Sequence, residues 1–195
     1  MGSFGARAFF MNSGGRPEVA SVQYGSISLP AGTTSATATI TSVDTTRSVV
    51  MSLGVKTNAP DTNGTAWAEG ESKVTLTNAT TVTASGGGNT YTSTHYFVVI
   101  QFNSGSIKSL QDVIISGSDT TTSDTATITS VNASKALVIP RDGLLGRGGT
   151  ANNGSGLSIL AYGTQLTNAT TLTHFRQSQA GSGRGDTNVT VVEFN

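Results

Sequence analysis

From Ala36 to Thr41 the chain alternates small or apolar side chains with threonine, and it does so again from Thr125 to Thr129. A period of two is what a β-strand with one dry and one wet face requires, because successive side chains point to opposite faces. In both places the alternation slips at the same point, Ser42-Val43 and Ser130-Val131, just before Asp44-Thr-Thr-Arg47 and Asn132-Ala-Ser-Lys135. A slip repeated at equivalent positions predicts a bulge or a twisted exit into a turn, since Asp and Asn accept hydrogen bonds from backbone N–H groups two residues on. The strand before it is Val22 to Leu29, closed by Pro30-Ala-Gly32 and matched by Leu110 to Ser116; the strand after it is Ser48 to Val55, matched by Ala136 to Ile139. Each copy is expected to end in a hairpin, Lys73 to Ser85 with Thr90 to Phe102 and Ser158 to Arg176 with Asp186 to Phe194, turned by Gly86-Gly-Gly-Asn89 and Gly181-Ser-Gly-Arg-Gly185. The run Tyr96-Phe-Val-Val-Ile100 is apolar on both faces, which suits a central strand or one whose second face meets another subunit. No stretch carries a helical period.

The chain says nearly the same thing twice. Ala38-Thr-Ile-Thr-Ser-Val43 returns as Ala126-Thr-Ile-Thr-Ser-Val131, and Leu76-Thr-Asn-Ala-Thr-Thr81 returns as Leu166-Thr-Asn-Ala-Thr-Thr171. Ser21-Val-Gln23 opens the first copy as Ser109-Leu-Gln111 opens the second, and Phe97 to Phe102 closes one as Val189 to Phe194 closes the other. Blocks kept in order at a near-constant offset mean duplication of one folding unit of about 85 residues. The expected architecture is all-β: two tandem antiparallel β-sandwich modules, Ig-like or jelly-roll-like, over 21–103 and 104–195, behind an extended N-terminal arm at 1–20. In that arm Phe4, Phe9, Phe10 and Met11 stand among glycines without a periodic pattern, so they are candidate assembly contacts, docking on a module or a neighbouring subunit. Similarity between the copies is lost over Thr57 to Glu71 and Arg141 to Gly156, where long Gly- and Asn-rich loops are expected to carry copy-specific contacts.

Hydrophobic residues make up only 35% of the chain and 24 residues are glycine, a composition shared by disordered chains and by sheets with polar outer faces; the alternation favours sheets. The formal net charge is zero with 11% charged residues, so the field that gathers nucleic acid or an anionic membrane is missing, and neither partner is expected. Cysteine is absent, which excludes disulfides, thiolate catalysis and Cys-based metal sites and leaves the redox compartment open. The start of the chain does not read as a secretory signal, and no apolar run approaches bilayer length.

Candidate chemistry is sparse, and no enzyme activity, cofactor or metal is expected. His95 and His174 occupy non-equivalent places in the two copies, each with apolar neighbours, and read as structural histidines on strands. Asp61-Thr-Asn-Gly64 with Glu69 and Glu71 lacks the alternating acidic spacing of a calcium loop and reads as a solvated loop. Trp67, the single tryptophan, and Tyr91 are weak candidates for stacking on a ligand such as a sugar ring. Arg184-Gly-Asp186 and the sequons at Asn63, Asn78, Asn132, Asn153, Asn168 and Asn188 recur by chance in such a composition. Lys135 has Arg47 as its counterpart, so no isopeptide bond could repeat there.

The string Ser35-Ala-Thr-Ala-Thr-Ile-Thr-Ser-Val-Asp-Thr-Thr-Arg-Ser-Val-Val50, the later Val74-Thr-Leu-Thr-Asn-Ala-Thr-Thr-Val-Thr83 and the terminal Val191-Val-Glu-Phe194 resemble small β-rich structural proteins of tailed bacteriophages. The resemblance covers both copies and omits the arm, and Ile100-Gln-Phe102 departs from the pattern conservatively. It implies a place on the particle surface of a virion assembled in a bacterial cytoplasm. Decoration or cementing of the head is the leading role, with the major capsid protein or other virion proteins as partners and a homo-oligomer as the expected state. A collar, spike or tail-fibre component that binds a receptor or glycan, using Trp67, Tyr91 and the loop 151–155, is the alternative. No catalytic residues come with the resemblance.

Overall fold

In the computed structural model the described residues are 19–58, 72–86, 90–117, 121–142, 162–176 and 186–195. They form twelve strands: β1 (Val19–Leu29), β2 (Ser35–Thr39), β3 (Ser48–Thr57), β4 (Ser72–Asn78), β5 (Thr81–Gly86), β6 (Ser93–Phe102), β7 (Ile107–Ile115), β8 (Ser123–Thr127), β9 (Ala136–Pro140), β10 (Tyr162–Asn168), β11 (Thr171–Arg176) and β12 (Thr187–Phe194). The fold is all-β. Four three-stranded antiparallel sheets have the orders β1-β6-β3, β2-β5-β4, β7-β12-β9 and β10-β11-β8, so no sheet mixes strands from before and after the turn at Asn103–Ser106.

Alternation along the strands builds the cores. Ile27, Val50, Phe97 and Val99 from the β1-β6-β3 sheet share one buried cluster with Val74, Val82 and Ala84 from the β2-β5-β4 sheet. Val113, Ile115, Val189 and Val191 do the same with Leu172 of β11 in the second half. A third cluster joins the halves: Val49 and Phe102 meet Ile139 and Val192, flanked by Met51, Ile100, Ile107, Leu110 and Phe194. This answers the two-faced run at Tyr96–Ile100. β6 is a central strand, and its second face meets the other half of the same chain, where each fully buried aliphatic side chain is worth about 1.5–3 kcal/mol.

The two repeated sequence blocks turn out to be parts of one assembly. Asn78 Oδ1 accepts from Thr80 N at 2.9 Å and reverses the chain between β4 and β5; Asn168 does the same with Thr170 at 2.9 Å between β10 and β11. The carbonyls of that turn then receive the slipped end of the alternating strand, Ile40 N to Thr80 O at 2.9 Å and Val43 N to Ala79 O at 2.8 Å, with Ile128 to Thr170 and Val131 to Ala169 both at 2.9 Å. A glutamine amide closes the other side. Gln23 accepts from Thr41 N at 2.8 Å and donates to Thr41 O at 3.0 Å, and Gln111 pairs with Thr129 at 2.7 and 3.0 Å. Asp44 and Asn132 cap the single 3-10 turns that follow by accepting from Thr46 N at 3.0 Å and Ser134 N at 3.1 Å, the bond expected from their types.

The expected final hairpins need correction. Lys73 to Ser85 is not one strand but the hairpin β4–β5, because the Asn78 turn reverses it, and β6 pairs with β1 and β3 in a different sheet. In the second half Asn168 likewise splits the predicted strand into β10 and β11, and β12 pairs with β7 and β9. The strands on either side of the glycine-rich segments, β5 and β6 in one half and β11 and β12 in the other, thus belong to different sheets, and residues 87–89 and 181–185 themselves lie outside the described residues.

Candidate functional site

The contact between the halves sets polar and charged side chains beside apolar packing. Phe102 and Phe194, equivalent residues in the repeat, meet edge to face with centroids 5.4 Å apart. Beside them lies a cavity of about 350 Å³, lined by Thr45, Ser48, Val49, Val50 and Leu76 of the first half and Leu110, Asp112, Arg141 and Thr190 of the second. Asp112 holds the polar wall together. Its carboxylate accepts from Thr190 Oγ1 at 2.6 Å and from Arg141 Nη1 at 3.1 Å. Arg141 is buried, and its Nε has no hydrogen-bond partner. The Arg141 carbonyl accepts from Val74 N at 2.9 Å, and Lys73 and Asp142 form an isolated antiparallel bridge, so the end of β9 docks on β4 of the first half.

Asp142 accepts from Asn188 N at 2.7 Å and from Asn188 Nδ2 at 2.9 Å. Burial nonetheless pushes its carboxyl up to about 6, against the pull of the Asn188 donors and of Arg141 and Lys73. The unfolded chain therefore loses this proton first as pH rises, and the fold forfeits stability between about pH 4 and pH 6 through this group. Asp142→Asn removes that titration. The stability of the variant relative to the natural chain is expected to rise from pH 4 to pH 7 by about 1.4 kcal/mol for each pH unit between the two pKa values, read by urea denaturation. A difference that stays flat over this range contradicts the assignment.

Both histidines are buried. His95 on β6 lies 2.8 Å from Ser93 Oγ, and burial lowers its imidazole, which favours the neutral ring. His174 on β11 lies between Thr164 Oγ1 at 3.0 Å and Thr187 Oγ1 at 3.4 Å. Glu193 is buried and accepts from Lys108 Nζ and Asn132 N, both at 2.8 Å; the Lys108 bond, then the Asn132 bond, hold its carboxyl below the usual range. In the first half Gln101 takes the equivalent place and accepts from Asp44 N at 3.0 Å. The charges have been exchanged as a set. Where the strand residue is a carboxylate the turn residue is neutral Asn132, and where it is a neutral amide the turn residue is Asp44, paired with Arg47 at 2.9 Å.

Of the assembly candidates, Phe4, Phe9, Phe10 and Met11 lie outside the described residues, as do Trp67, Asp61, Glu69, Glu71, Arg184 and the loop 151–155. Tyr91 precedes β6, is half-buried and is engaged within the chain. Asn78, Asn132 and Asn168 use their side-chain oxygens in turns, and Asn188 is buried against Asp142. Among the described residues no group of three or more His, Asp or Glu side chains could hold a metal ion, and no helix is long and apolar enough to cross a membrane.

Sequence reasoning did not single out Asp112, Arg141 or Asp142. A signal was present: β7 carries Lys108 and Asp112 where its counterpart β1 carries Ala20 and Tyr24, and a charge inside a repeated strand marks a contact that one copy lacks. No protein-family model, curated protein or solved structure matches the chain. The geometry and the internal repeat therefore carry the functional reading.

Proposed function

We propose that the protein is a structural component of a tailed-phage virion, built as two tandem sandwich modules and bound to the assembled head as a decoration or cement protein. The observation that carries this reading is where the reactive side-chain types are placed. His95, His174, Glu193 and Asp142 are buried or partly buried in hydrogen bonds that hold strands and turns, while a string of apolar residues stands exposed on one sheet. Such a division suits a protein whose work is contact, and many copies acting together on a lattice need no single strong site. The resemblance of the Thr/Ala strand, the Leu-Thr-Asn turn and the Val-Val-Glu-Phe end to phage structural proteins supports the same role.

The test is quantitative mass spectrometry of purified particles, counting this chain against the major capsid protein. Hundreds of copies per particle are expected for a lattice-bound protein. A dozen or so would move it to the collar or tail and favour a receptor- or glycan-binding appendage. Absence from the particle would refute both.

A further inference from the structure

A strand at the border of a sheet leaves one row of backbone N–H and C=O groups unpaired by that sheet, and proteins blunt such borders with charge, proline, bulges or cover. Most borders here are blunted. β3 has Lys56 and a register shift between Ser52 and Gly54, β7 has Lys108 and Asp112, and β9 ends in Pro140. β4 is bridged by the end of β9, while β2 and β8 are only five residues long. The remaining border strand, β10, spans seven residues and includes a register shift near its end.

Among the described residues β1 has none of these devices beyond a register shift at its very start and, at Gln23, side-chain bonds to the Thr41 backbone. It runs for eleven residues, Val-Ala-Ser-Val-Gln-Tyr-Gly-Ser-Ile-Ser-Leu, with neither a charge nor a proline. Val19, Val22 and Tyr24 project from the face opposite the core and are 41%, 46% and 76% exposed, with Tyr96 of β6 beside them at 42%. That face continues into the contact between the halves, for Val22 lies across from Ile100 and Val19 across from Phe102. The repeat shows what such a face does when it is covered. On β7 the counterparts of Val19 and Val22 are Ile107 and Leu110, and both are packed into the inter-half cluster against the first half of the chain.

We infer that β1 is a self-association edge: two copies of the chain pair their β1 strands antiparallel about a two-fold axis near Tyr24. The product is one six-stranded sheet, β3-β6-β1-β1-β6-β3. Tyr24 is the middle residue of β1, so the axis brings the two Tyr24 side chains together on one face, flanked by Val22 and Tyr96. Pairing uses up the edge in both copies, so the assembly closes as a dimer and does not grow. This association stands or falls separately from the virion reading, since it can be measured on the isolated chain.

The test uses the full chain in sedimentation velocity. A dimer is expected at micromolar concentration, and Val22→Lys with Tyr24→Lys is expected to weaken it at least about 100-fold by placing like charges across the axis. Both positions are exposed, so the circular dichroism and melting of the variant should match the natural chain. Because the chain has no cysteine, Tyr24→Cys gives a single thiol, expected to oxidise to a covalent dimer, whereas Thr77→Cys on the β4 side should not. A natural chain that stays monomeric overturns the inference, as does a dimer unaffected by the two lysines. Protection from hydrogen exchange, in a monomer, of the β1 amides that point away from β6 would also overturn it, by showing that the edge is covered from within the chain.

Discussion

Replacing Gly25 with alanine is expected to cost the first half about 2–3 kcal/mol of stability, the largest loss expected from any single methyl group in the described structure. Gly25 of β1 lies directly across from Phe97 of β6, and the Phe97 ring fills the space where a side chain would stand. A Cβ there would overlap Cζ and come within 2.9 Å of Cε1. The ring has nowhere to go, because Phe97 is 1% exposed inside the first core cluster with Ile27, Val82 and Val99. The second half supplies the control. Gly163 lies across from Phe175 in the same manner, with a Cβ 3.0 Å from Cζ, but Phe175 is 43% exposed and can swing outward. Gly163→Ala should therefore cost less than about 1 kcal/mol. Urea melts of the two variants decide it, and equal losses would contradict the packing argument.

Glu193→Ala is expected to lower the melting temperature by about 5 °C or more, because it strips a buried carboxylate from both Lys108 and the Asn132 N–H. Glu193→Gln should cost less, since Gln101 already performs the same backbone acceptance in the first half. The two can be separated by pH. Lys108 and Asn132 hold the Glu193 carboxyl below its ordinary value of 4.5, so its stabilisation is complete above that value and is lost as pH falls through the lower, folded one. The natural chain and Glu193→Gln are thus expected to differ at pH 7 and to converge in acid. A difference independent of pH would mean that Glu193 acts by its shape alone.

Much of the architecture was legible because it is local. Alternation placed the strands to within a few residues, and Asp44 and Asn132 announced turns through short bonds to their own backbone. The error over the final hairpins came from the same kind of signal misjudged. The Leu-Thr-Asn block sits in a continuous Thr/Val-rich run, and the reversal rests on one asparagine oxygen, which is easily read as part of a strand. The polar wall of Asp112, Thr190 and Arg141 was not legible, because those residues come from β7, from β12 and from the segment just after β9, far apart in the chain.

What the sequence determined by itself was the class and the duplication. Period-two patterning specifies faces whatever the partner strand, and two copies of one pattern must build two similar sets of sheets. Tertiary structure alone decided which strands share a sheet and what the second apolar face of β6 is for. It also decided why the repeated blocks are repeated: the Gln amide, the slipped strand and the Asn turn bond to one another across long separations. Pairing of that kind depends on where strands lie in space, and a strand pattern specifies a face without naming its neighbour.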